Sequence, residues 1–330
     1  MTFTAETWTY ISVVVLASGL ALFYARPVYD LLRLLVFLSV GFCLALTVRD
    51  AGFDADIRQY ALAMHTDGYG FYFLREPIVW LGMRYLYDVL NSEVAVLLTF
   101  DLIGLAIAYA AFAKLKAPWY ALFGFLCFFP FVLGMQNIYR QWLSALFLLL
   151  AYSVARSGSW WRYLFAIVAS LTHNVAFLFW PLLFSSSRTR SARAFFWIGI
   201  LLVPVAIEIG LETKSSAATG ANLAWAYLGL LVLLLVAHYA MRLLPLRTRS
   251  VVPDSRLLLA SLIIVGAGVG SLSSASAERV GMFALMICYP LIAVRLEQLP
   301  IARLPARLAF IHFGFWPIFF FGTAGFLIGS

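Results

Sequence analysis

Long apolar runs separated by short polar breaks make up most of this chain, at roughly 7–25, 31–48, 94–112, 119–135, 142–155, 194–210, 223–241, 257–272, 280–294 and 308–328. Runs of this kind read as helices crossing hydrocarbon, because a span needs on the order of 20 apolar residues. An eleventh stretch, 163–184, is apolar on both sides of a polar triplet, Thr172-His173-Asn174. The pattern predicts an all-α polytopic membrane protein with about ten transmembrane helices. A re-entrant helical hairpin is expected at 163–184, and a large extracytoplasmic loop between the second and third spans, at 49–93. The breaks leave no room for a separate soluble domain, so residues 1–330 are expected to form one integral membrane domain.

Composition agrees. Apolar residues make up 64% of the chain and charged ones 12%, whereas a soluble domain has about a quarter charged. Met1 to Tyr10 has no basic residue, so no cleaved signal peptide is expected. Cys43, Cys127 and Cys288 are far apart inside apolar runs, which excludes a disulfide framework and metal-ligand spacing. The net charge of +8 reflects where Lys and Arg sit around the spans, not a nucleic-acid surface.

Those basic residues decide the reading of 163–184. Arg156 and Arg162 precede it; Arg188, Arg190 and Arg193 follow. A single crossing would put basic clusters on both sides of the membrane, against the positive-inside rule. A segment that enters and returns at Thr172-His173-Asn174 keeps both on the cytoplasmic side. With the N-terminus outside, the outer cations are then Arg49, Arg58, Arg75, Arg84, Arg140, Lys214 and Arg279. Irregular backbone at membrane depth must face protein or a watery cavity, so His173 would line one. The alternative is a continuous helix whose His173 bonds a neighbouring carbonyl.

Chemistry gathers on the outer side. Gln-Asn-Ile-Tyr-Arg-Gln at 136–141 is a polar knot between two apolar runs, with Arg140 at the junction. A fixed cation at the edge of hydrocarbon marks a functional site by default. The loop 49–93 holds Asp50, Asp54, Asp56, Asp67, Glu76, Asp88 and Glu93. Its segment Gly68 to Val89 alternates aromatic and charged residues, which predicts an interfacial helix with Pro77 in its first turn. Glu76, just before that turn and flanked by aromatics, suits a general base. Asp54-Ala-Asp56 resembles a metal-binding pair of carboxylates, but capping or solvation explains Asp54 better, and no metal is expected. Asp56, with Arg58 and Tyr60, remains a site candidate.

Near the C-terminal end, the small-residue stretch Gly266 to Ala277 leads into Glu278-Arg279 and would bring Arg279 to the outer rim. Two guanidiniums on one rim, Arg140 and Arg279, make a pyrophosphate clamp. The plainer reading pairs Arg279 with Glu278 or Glu212. Asp101, Glu208, His238 and His312 are expected to bond within the bundle and are given no role.

The tract from Asn137-Ile-Tyr-Arg140-Gln141, through Ala145 and the basic turn Arg156 to Arg162, to Ala169-Ser-Leu-Thr-His173-Asn174 resembles the EpsG/Wzy-like polymerases of bacterial exopolysaccharide and O-antigen synthesis. Asp56 to Tyr60, Glu76-Pro77 and Arg279 before Met282-Phe283 are similar to further short elements of that family. The resemblance implies a polymerase of undecaprenyl-pyrophosphate-linked oligosaccharides, in the bacterial inner membrane, with its site facing the periplasm. It implies no cofactor. The implied partners are the lipid-linked donor, the bilayer and, as a candidate, a chain-length regulator; nucleic acid is not among them. Arg140 and Arg279 would stabilise the leaving pyrophosphate and Gln141 would orient phosphate or sugar. Asn137, Tyr139, Asp56 and Tyr60 would contact substrate, and Glu76 or His173 would be the base. Competing readings are a lipid-linked oligosaccharide flippase, a membrane acyltransferase, and another lipid-phosphate-dependent glycosyltransferase with its base among Asp50, Asp54 and Asp56. No second copy of the Arg-Gln…His tract occurs, which disfavours the internal repeats typical of transporters.

Overall fold

A computed structural model of the chain describes residues 5–23, 28–50, 55–66, 74–187, 189–211, 224–243, 255–271, 274–297 and 303–317. Every regular element among the described residues is helical. In chain order these are α1 (Ala5–Leu22), α2 (Leu31–Asp50), α3 (Ala55–Met64), α4 (Pro77–Leu90), α5 (Glu93–Leu115), α6 (Trp119–Leu126), α7 (Phe129–Gln136), α8 (Tyr139–Ala155) and α9 (Trp161–Thr172). A 3₁₀ segment, Asn174–Phe184, precedes α10 (Arg190–Leu211), α11 (Ala224–Leu243), α12 (Ser255–Ser271), α13 (Ser274–Leu296) and α14 (Arg303–Phe315).

Among the described residues, five helices are long and apolar enough to cross a membrane: α1, α2, α5, the Arg190–Ile207 part of α10, and the Ser276–Leu296 part of α13. A polytopic membrane protein follows, and these five correspond to five of the roughly ten spans expected from run length alone. Other expected runs form shorter or interrupted helices, for local reasons. The run 119–135 is two helices, α6 and α7, bent by 43°. Pro130, in the first turn of α7, has no N–H to continue an earlier helix, and Phe128 before it is extended. The run 163–184 is likewise broken, at His173. The last expected span, 308–328, is described only as far as residue 317.

The break at His173 turns the chain back on itself. His173 is extended, with φ −156° and ψ 130°, and ends α9. The two arms then run side by side: the Trp180 indole donates to Ser170 Oγ at 2.9 Å, and the Tyr163 and Phe184 rings meet at 6.2 Å. Arg162 lies over the Phe184 ring at 5.5 Å, and Arg256 donates to the Ser185 carbonyl at 3.1 Å. Both ends of the hairpin therefore share one rim, with the basic flank Arg162 beside it. Ser144 on α8 donates to the Ala169 carbonyl at 2.7 Å, which fixes the hairpin tip against the helix that carries Arg140.

The position of α8 is set by one large ring. Trp142 is fully buried, and a Cβ added at Gly104 or Gly134 would lie 2.3 Å or 2.6 Å from its atoms. Glycine at both positions is thus what lets α5 and α7 close on α8. Gly104→Ala is expected to lower stability by about 1–3 kcal/mol through overpacking. Thermal unfolding of the purified protein in detergent checks this; an unshifted midpoint would contradict the packing described.

Candidate active site

Residues of α3 and α4 enclose Arg140. Arg140 opens α8, immediately after the polar break Gln136–Ile138 where α7 ends. Its Nη1 donates to Glu76 Oε2, and its Nε donates to the Tyr60 hydroxyl at 3.1 Å. The guanidinium lies over Trp80 at 4.8 Å and over Tyr60 at 5.5 Å. Tyr60 comes from α3 and Trp80 from the first turn of α4. Glu76 is the N-cap of α4, with Pro77 in its first turn, as the sequence predicts. Its side chain is 2% exposed and that of Arg140 11%. Enclosure at this level is tolerable because each charge has its partner and further hydrogen bonds.

The hairpin tip completes the site. Glu76 Oε1 lies 3.5 Å from His173 Nδ1 and accepts the Asn174 N–H at 3.5 Å. His173 is buried, and its Nδ1 accepts the Val175 N–H at 3.2 Å, capping the 3₁₀ segment. An acceptor at Nδ1 assigns the ring proton to Nε2. Phe283 of α13 meets the His173 ring at 6.4 Å. Arg279 lies one turn before Phe283 on α13, half-buried, and has no ion pair among the described residues. It stands one turn before the ring that meets His173; Glu212, one of the two acids that the plainer reading pairs with it, lies outside the described residues.

The sequence-derived candidates divide clearly. Glu76, Arg140, His173 and Tyr60 are in contact as one cluster. Gln141 is buried, and its Oε1 has no hydrogen-bond partner among the described residues. Asn137 is the half-buried C-cap of α7. Asp56 lies four residues before Tyr60 on α3, with its side chain outside the described residues; Asp54 and Lys214 also lie outside them. Tyr139 is fully buried, and its hydroxyl donates to Asp101 Oδ1 at 2.7 Å, so it supports the cluster from behind.

That support was missed in the sequence. Arg49, expected in the outer loop, is buried in α2 and holds Asp101 through Nε at 2.9 Å and Nη2 at 2.8 Å. Nη2 also reaches the Met135 carbonyl at 3.1 Å, at the end of α7. Asp101, expected only to bond within the bundle, is thus half of a sealed pair beneath Arg140. Gln136, the first residue of the knot, donates to Glu6 of α1. The signal was available: an acid eight residues into a span lies roughly 12 Å deep and demands a cation from a neighbouring helix. No metal-binding group of His, Cys, Asp and Glu occurs among the described residues.

A model of the EpsG family matches residues 30–325. The chain belongs to the EpsG family. No curated protein and no solved structure matches it. Membership supports a polysaccharide-polymerase-like function for this EpsG-family protein, and its apolar helices make it a multi-pass membrane protein.

Breaking the sealed pair leaves one buried charge alone, so Asp101→Asn or Arg49→Ala is expected to cost about 3–5 kcal/mol. The double change Arg49→Met with Asp101→Leu is expected to recover most of that stability, because it removes both charges. Unfolding midpoints of the three variants check this; equal loss in the double variant would contradict it.

Proposed function

We propose that this EpsG-family protein is a membrane glycosyltransferase that polymerises undecaprenyl-pyrophosphate-linked oligosaccharide units at the outer face of the bacterial inner membrane. The observation that carries this reading is Arg140, a guanidinium enclosed by Glu76, Tyr60 and Trp80 next to a broken helix bearing His173. A fork of N–H donors in such a setting suits phosphate oxygens, and a guanidinium keeps its charge throughout the reaction. The headgroup of the donor lipid carries that diphosphate.

In the reaction an acceptor hydroxyl oxygen bonds to the anomeric carbon of the donor sugar. The bond from that carbon to the pyrophosphate oxygen breaks, and its electron pair leaves with the lipid pyrophosphate. The hydroxyl proton passes to Glu76 or His173. Arg140 stabilises the charge developing on the leaving group, with Arg279 as second cation and Gln141 orienting phosphate or sugar. Asn137, Asp56 and Tyr60 line the approach. Single displacement inverts the anomeric configuration. The hairpin 163–184 is re-entrant in this reading, with its base on the cytoplasmic side and His173 in an outward-facing cavity. The prenyl tail takes an apolar groove between helices.

Arg140→Ala is expected to reduce polymer formation from purified lipid-linked units by more than about 100-fold, as loss of a transition-state charge contact does. Single units should accumulate in the outer leaflet of cells. Accumulation in the inner leaflet would indicate a flippase, and undiminished polymer would exclude the site. The topology has its own check: single cysteines at Gly158 and Ser187 in a cysteine-free background should both react with a membrane-impermeant thiol reagent only from the cytoplasmic side. Labelling from opposite sides would exclude the re-entrant hairpin.

A further inference from the structure

Two groups compete for the role of base, and their hydrogen bonds separate them. The Nδ1 lone pair of His173 is occupied by the Val175 N–H, so protonating that nitrogen would remove the cap on the 3₁₀ segment. His173 is therefore a positioning residue: it shapes the turn and sets one wall beside Glu76. Glu76 is the remaining acceptor, but in the free protein Arg140 holds it. While Oε2 is bound to the guanidinium, it is turned to Arg140 and away from any acceptor hydroxyl.

The geometry points to a resolution. We propose that Glu76 is the proton acceptor, and that it is released for this role only when an anionic group of the donor takes its place on Arg140. The inference rests on the glycosyltransferase reading above and adds the order of events to it. A diphosphate carries more charge than a carboxylate and presents several oxygens to the same fork, so it wins the exchange. The guanidinium stays in position during the exchange, because Tyr60 accepts from Nε and Trp80 lies against its face. Glu76 also remains tethered. Its Oε1 keeps the Asn174 N–H while Oε2, the oxygen bound to Arg140, is freed to face the acceptor hydroxyl. The proton of that hydroxyl moves to Oε2 as the oxygen bonds to the anomeric carbon and the diphosphate leaves with the electron pair. Departure of the diphosphate returns Arg140 to Glu76, and the proton is lost to solvent.

The counter-ion role makes a prediction opposite to that of a simple ligand. If Glu76 competes with the donor, removing its charge should tighten binding while abolishing turnover. The test measures undecaprenyl pyrophosphate binding to the full-length protein in nanodiscs, for wild type, Glu76→Gln, Glu76→Asp and Arg140→Ala. Glu76→Gln is expected to bind about 10-fold tighter than wild type and to form no polymer, in keeping with the coupling of close charge pairs. Glu76→Asp keeps the charge but withdraws it by one methylene, and is expected to bind about 3-fold tighter; it decides the matter if Glu76→Gln does not accumulate. Arg140→Ala is expected to lose binding. Binding by the Glu76 variants no tighter than wild type, with Arg140→Ala still defective, would overturn the exchange and leave the glycosyltransferase reading standing. Unchanged binding by Arg140→Ala would overturn both.

Discussion

A positive charge enclosed by apolar helices must meet an acid within contact distance, and the rest of this structure is arranged around that constraint. Among the described residues, Arg49 meets Asp101, Arg140 meets Glu76 and Arg307 meets Glu297, each an acid from another element or across a turn. The first joins α2 to α5 and reaches the end of α7. The second joins α4 to α8. The third ties α14 to the end of α1, where Arg307 also donates to the Ala21 carbonyl at 2.9 Å. Each pair therefore fixes elements that hydrophobic packing alone would leave free to slide, since apolar surfaces in lipid carry little directional preference.

The pairs differ in access, and access separates scaffold from site. The side chains of Arg49 and Asp101 are 1% and 0% exposed, and no ligand can reach between them. Arg140 keeps 11% of its side chain exposed while its acid is nearly sealed. The sealed pair binds the Tyr139 hydroxyl, and the next residue is Arg140, so the buried charges set where the accessible one stands. The hairpin does the same from the other side. Its helix stops at His173, and the following eleven residues are 3₁₀, an unusual length for that geometry. The turn at their junction brings the Asn174 N–H and the His173 ring to the carboxylate.

Much of this was legible in the sequence, for identifiable reasons. Polar residues interrupting apolar runs stand out, so the knot at 136–141, the triplet at 172–174 and Glu76-Pro77 all announced themselves, and the structure brings Arg140, His173 and Glu76 together. Basic residues on both flanks of 163–184 pointed to a return of the chain, and the arms do lie side by side. What stayed hidden depended on side-chain direction. Residues 139 and 140 are neighbours in the knot, yet a helix turns them about 100° apart, one toward the buried acid and one toward the site. The bend between α6 and α7 was masked because Pro130 stands within an unbroken apolar run. Trp80 was one aromatic among many until α4 was seen to set it against the guanidinium.

One packing detail carries further than its size suggests. The indole at 142 sits in a slot with bare backbone on two sides, where a methyl group at either position would collide with it. Such a fit indexes three helices like a key in a lock. A shift of α8 by a single residue, roughly 1.5 Å along its axis, would drive the ring out of the slot. Because Arg140 is only two residues away on the same helix, the height of its charge in the bundle is held by the absence of two side chains as firmly as by the presence of any.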